Sequence, residues 1–147
     1  MNDVLLINEE FFKKNVSHNQ SFDTNQVISS IRLVQKTNLA SIVTEKVYNH
    51  FQDILRNASP FQPSEEKLFE SMQLFLAVKV AEELVYASPS DDYKSSSHIS
   101  YRNKATLLEA RIVRDINRDA TLLSLARSDE NEFDDAEMDI QGGFYFG

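Results

Sequence analysis

Glycine is missing from the first 141 residues of this chain: Gly142, Gly143 and Gly147 are the only three in 147. Tight β-hairpins need backbone at positive φ, which glycine supplies most cheaply, so a hairpin-rich domain is excluded and helices joined by polar connections are expected. The same absence rules out a phosphate-cradling P-loop, a GxGxxG turn and a GxSxG nucleophile elbow. Cysteine is absent altogether, which removes disulfides, thiolate metal sites and a cysteine nucleophile, and fits a reducing compartment. Basic charge is scarce: 15 Lys and Arg stand against 23 Asp and Glu, for a net charge of −8. A nucleic-acid-binding domain needs a basic footprint, and adhesion to anionic membrane needs basic clusters. Long apolar runs are missing too. The most apolar stretch, residues 74–81 ("LFLAVKVA"), is far too short to span a bilayer, and "MNDVLLINEEFF" lacks the basic start of a signal peptide. A soluble, intracellularly made protein of one domain by length is the expectation.

What is present has helical period. Residues 9–14 ("EEFFKK") allow one short turn carrying Phe11 and Phe12. Asp23 or Thr24 caps a helix with Val27, Ile28, Ile31 and Val34 on one side, and a break is expected near Thr37–Ser41. Val47, Phe51, Ile54 and Leu55 form the apolar face of the next helix, which stops before Pro60. Ser64 is then expected to cap a long helix to about Ala87, with rows Leu68, Met72, Leu76, Val80, Leu84 and Phe75, Val78, Ala81, Val85. A helix apolar around most of its girth belongs at the centre of a core. "SPSDDYKSSSH" reads as a mobile polar loop, and a last helix is expected from about Ser100 to Arg127 with Tyr101, Ala105, Leu108, Ile112, Ile116 and Leu123 in one stripe. The fold class is therefore all-α, a bundle of four to five helices over residues 20–128, preceded by an extension at 1–19.

Residues 129–139 change character: Asp129, Glu130, Glu132, Asp134, Asp135, Glu137 and Asp139 with no basic residue. A like-charge block repels itself and buries too little to fold alone, so it reads as an extended acidic tether. It carries "GGFYFG", a strand-like aromatic segment.

Catalytic signals are sparse. His18, His50 and His98 fall in three segments without metal-ligand spacing, Glu45, His50 and Asp53 do not converge, and the Asp91–Asp92 pair reads as solvation. No enzyme, metal or cofactor is expected. Two features stand out. Arg111, Arg114 and Arg118 recur at helical spacing. They read either as a solvated face paired with Glu109, Asp115 and Asp119 or as a subunit interface meeting Asp134 and Asp135 of a neighbour. Phe144, Tyr145 and Phe146, set between Gly142, Gly143 and Gly147, read as a disordered end with incidental aromatics, as an aromatic plug folding back on its own core, or as a partner-docking arm: alternate rings face opposite ways, and glycine lets the backbones approach.

The order of elements over roughly residues 20–127 resembles the head-tail connector (adaptor) proteins of tailed bacteriophages, with the neck ring proteins of crAss-like phages as a narrower resemblance. The segments that carry it are "NQVISSIRLVQKTNLASIVTEKVYNHFQDIL" and "LFESMQLFLAVKVAEELVY": a helix, an apolar link, an "E-x-Y" helix start, then an all-apolar helix. The family has no fixed aromatic carboxy-terminal motif, so "GGFYFG" is outside the resemblance. The resemblance implies a homo-oligomeric ring, commonly of twelve subunits, in the virion neck. Such a ring joins the portal protein to tail components while DNA passes through its channel without sequence-specific binding. A small helical interaction or regulatory module, binding a partner through its tail, is the alternative.

Overall fold

The structure, a computed structural model, describes residues 3–16, 22–86 and 91–128. It is all-α, with no strand among the described residues. Helix α1 spans Glu9–Asn15, α2 Thr24–Val34, a π-helical segment Gln35–Leu39, α3 Ala40–Val43, α4 Glu45–Arg56, α5 Pro63–Tyr86 and α6 Asp91–Asn117. A further helix, α7, covers residues 120–128.

α5 is the central element. Both of its apolar rows are buried, and Ala77 adds a third side. It packs along α6 on one side and against α2 and α1 on the others. Burying a side chain such as Leu76 or Phe75 stabilises the fold by about 1.5–3 kcal/mol each, so α5 alone accounts for much of the apolar gain. Its start differs from expectation. Ser64 does not cap it: Pro63 is the first helical residue, Gln62 sits at the cap, and Glu65 reaches back to accept the Gln62 N–H at 2.8 Å. Proline is well placed there because its missing N–H would have no helical partner, and the Glu65 carboxylate closes half a capping box.

The expected break at Thr37–Ser41 is absent. Val27, Ile31, Gln35, Leu39 and Val43 are all buried, at a strict spacing of four. Four residues overshoot one α-helical turn by about 40°, so four such steps would swing off the core. The wider π turn at 35–39 takes up that drift and keeps the row inward. The chain turns instead at Thr44, whose φ of 79° and ψ of 155° are foreign to a β-branched residue. α4 ends in a Schellman arrangement: Ser59 N–H bonds Ile54 C=O at 3.0 Å and Ala58 N–H bonds Leu55 C=O at 3.3 Å, with Ala58 left-handed at φ 50°.

Residues 3–16, read from sequence as part of an extension, pack into the same core. Leu6, Ile7, Phe12 and Val16 are buried. The extended backbone before α1 is held by glutamines. Gln52 donates to Val4 C=O at 2.8 Å and accepts from Val4 N–H at 2.7 Å, while Gln35 accepts from Leu6 N–H at 2.9 Å. A primary amide presents one donor and one acceptor as a neighbouring strand would, so the glutamines replace a strand partner. Gln35 also donates to the Tyr48 hydroxyl at 3.1 Å, which in turn donates to Asp3 at 2.7 Å. Burial and the Asp3 carboxylate push the Tyr48 hydroxyl's pKa well up, so it stays a donor.

Two expectations for the last third are corrected. Helix begins at Asp91, within the segment read as a polar loop. The last helix is also interrupted: Arg118–Asp119 form a turn, and Asp119 caps α7 by accepting the Leu122 N–H at 2.9 Å. The turn resets the helical register, so Leu122 and Ala126 enter the core in place of Leu123.

Candidate functional site

Tyr101, Ala105, Ile112 and Ile116 fix one face of α6 in the core. Successive residues turn by about 100°, so Arg111, Arg114 and Arg118, three to four residues apart, fall together on a flank. All three are exposed, and the flank holds Lys104 and Leu107 in the same row. Leu107 is 71% exposed, the most exposed large apolar side chain among the described residues.

The acidic partners read from sequence do little to neutralise the row, and no ion pair within 4.0 Å involves Glu109 among the described residues. Arg114 Nε stands 3.9 Å from Asp115 Oδ1, a loose contact at the edge of ion-pair range. Asp119 faces Ser64 and the start of α7. The Ser64 side-chain hydrogen bond, then the Leu122 N–H, hold its carboxyl below the usual aspartate range. No ion pair within 4.0 Å involves Arg111 or Arg118 among the described residues.

Beside this row α5 and α6 part to leave a groove of about 590 Å³. Leu74 and Val78 of α5 and Leu107, Leu108 and Ala110 of α6 form its apolar walls, and Lys104, Arg111 and Arg114 its rim. No acidic side chain lines it among the described residues. An apolar trough with cations on one lip favours an occupant that is apolar and anionic together. Sequence reading found the arginines but missed Lys104 and Leu107. The available signal was Leu107 itself: it lies on the arginine row, at spacings of four, three and four, and not on the buried stripe.

A second cleft, about 380 Å³, lies where the π segment and α3 meet α5 and α6, among Thr37, Asn38, Ser41, Lys79, Glu82 and Arg102. Three of its charges pair with one another: Lys79 Nζ is 3.1 Å from Glu82 Oε1, and Arg102 Nε is 3.9 Å from Glu82 Oε2. His50, read as a surface or edge residue, pairs through Nε2 with Glu65 Oε2 at 2.5 Å and sits edge-on to Phe51. Among the described residues no three His, Asp or Glu side chains gather closely enough to hold a metal, and no helix is long and apolar enough to cross a membrane.

Asp134 and Asp135, like Gly142, Gly143, Phe144, Tyr145 and Phe146, lie outside the described residues. Their composition still bears on the site. The seven carboxylates of 129–139 account for nearly all of the net charge of −8, leaving residues 1–128 at −1. No known protein family, curated protein or solved structure matches the chain.

Proposed function

We propose that the protein is a structural connector of a tailed-phage virion, an adaptor that assembles as a homo-oligomeric ring in the neck, joins the portal to the tail and lines the DNA channel. Its role is mechanical, with no catalytic step. The observation that carries this reading is the exposed cationic row Lys104, Arg111, Arg114 and Arg118 on a nearly neutral helical domain whose own chain supplies a separate acidic segment. A ring made of one kind of subunit needs two different, complementary surfaces per copy, and head-to-tail contacts between them close when the rotation closes. Here Arg111, Arg114 and Arg118 meet Asp134 and Asp135 of the neighbour, and Gly142–Phe146 dock on the portal side. One arm per subunit gives the ring many weak contacts in parallel, which avidity makes durable. The net negative charge suits a conduit, because DNA passes without adhering.

Native mass measurement and negative-stain imaging of the full chain, alone and mixed with a portal assembly, test the reading. Closed rings on the portal, lost when residues 140–147 are deleted while the helical signal is kept, are expected. A protein that remains a monomer or dimer in both conditions overturns the connector and favours the small interaction module.

A further inference from the structure

The groove between α5 and α6 lacks an occupant whose chemistry the chain itself carries. Its walls are apolar, Leu74, Val78, Leu107 and Leu108, and its rim is cationic, Lys104, Arg111 and Arg114. From Lys104 in α6 to Arg118, one residue past its end, the cationic row rises about 21 Å. Six or seven residues of extended chain cover the same length. The acidic block meets that requirement, and three adjacent aromatics follow it. We infer that residues 129–147 of the same molecule lie in this groove in the unassembled protein, with the carboxylates along the cationic rim and the rings of Phe144–Phe146 over Leu107 and the α5 wall.

Reach and concentration favour the chain's own segment over a second copy's. The described chain ends at Ser128, whose hydroxyl is 3.2 Å from Lys46 Nζ. Fifteen residues, 129–143, span up to about 50 Å when extended, at 3.3–3.6 Å each. A domain of this length is about 40 Å across, judged from its expected radius of gyration. Arg118 lies just before the nine-residue helix that ends at Ser128, about 14 Å long, so the cationic row down to Lys104 is within reach. A tethered segment meets its site at an effective concentration in the millimolar range, far above that of a second molecule in dilute solution. The domain carries only −1 of its own, so little general repulsion opposes the seven carboxylates. Docked this way, the rings are withheld from water and from wrong partners until a portal surface competes for them. This latch rests on the connector reading, since it assigns the docking arm its resting place.

The chain contains no tryptophan, so Phe146→Trp in the full-length protein gives a single reporter of the arm. Its emission should be blue-shifted and protected from acrylamide, unchanged over a hundredfold dilution in the regime set by effective concentration. Leu107→Glu and Arg111→Glu, added separately, should red-shift the emission and raise quenching several-fold. Both sites are exposed, so the far-UV circular dichroism and melting temperature should stay as in the parent. Tyr145→Trp repeats the measurement should the first reporter disturb docking. A solvent-exposed spectrum in both reporters overturns the latch, as does protection that neither groove substitution alters. Protection lost on dilution overturns it as well, because the occupant is then a second copy. The two proposals fail separately: rings without tail protection refute the latch alone, and protection without rings refutes the connector alone.

Discussion

Thr44→Gly is the substitution whose consequence the backbone sets most directly. Thr44 occupies φ 79° and ψ 155° at the joint between α3 and α4, a region that costs a non-glycine residue about 1–3 kcal/mol. Its hydroxyl oxygen is buried without a hydrogen-bond partner, a further penalty of about 1–3 kcal/mol. Glycine removes both. Against that stand the added freedom of the unfolded chain, about 0.5–1 kcal/mol, and the lost γ-methyl, about 0.8 kcal/mol. The net gain centres on about 2 kcal/mol, which raises the melting temperature by about 4–8 °C for a chain of this length. Urea denaturation followed by far-UV circular dichroism measures it, with Thr44→Ala as control. Alanine removes the orphan hydroxyl but keeps the β-carbon, so it should recover about 1 kcal/mol only. The difference between the two variants isolates the backbone contribution. A glycine variant no more stable than the alanine variant would refute the argument that this joint stores strain.

Ala58→Gly, at the left-handed position of the Schellman motif, should stabilise by about 0.5–1 kcal/mol, read from the same denaturation curves. Asp119→Ala should cost about 0.5–2 kcal/mol through loss of the α7 cap. Because the Asp119 carboxyl is held below its ordinary value, this cost should be fully present above about pH 4 and fade as pH falls through the lower folded pKa; thermal melts of both proteins across that range check it. Arg114→Glu should reduce ring formation on the portal at low salt with an unchanged melting temperature, as read by native mass measurement. The parent's assembly should fall toward the variant's as salt rises.

The parts of the fold legible in sequence are those fixed by pattern over many residues. α5 was readable because two apolar rows run its whole length, and α4 because Val47 and Phe51 recur against a polar remainder. What stayed hidden depends on single residues acting through geometry. Residues Thr37–Ser41 look like a break, yet a row spaced by four absorbs them into a π turn and α3. The real turn falls on Thr44, a residue whose type argues against its conformation. Asp119 looked like one more carboxylate on a charged face, but it caps a new helix and resets the register of Leu122. The arginine row was legible. The groove beside it was not, because it needs the side chains of α5 set against those of α6, and sequence spacing within one helix carries nothing about that neighbour.

Salt offers a way to separate folding from docking, and the reason lies in where the charge sits. The first 128 residues carry a net charge of −1 and residues 129–139 carry seven carboxylates without a cation. A nearly neutral helical domain has little self-repulsion for added ions to screen, so its denaturation midpoint should change little with ionic strength. In the proposed latch the acidic block meets Lys104, Arg111 and Arg114, all exposed at the groove's rim, so screening should weaken the docking as the Debye length shrinks from about 10 Å to a few ångströms between 0.1 M and 1 M salt. The aromatic part of the same contact is apolar and should persist. A tail reporter in the groove should therefore show partial, not complete, loss of protection at high salt, with melting unaffected. Complete loss would mean that charge alone holds the segment and that Leu107 and its neighbours contribute nothing. No loss would mean that the cationic row is incidental.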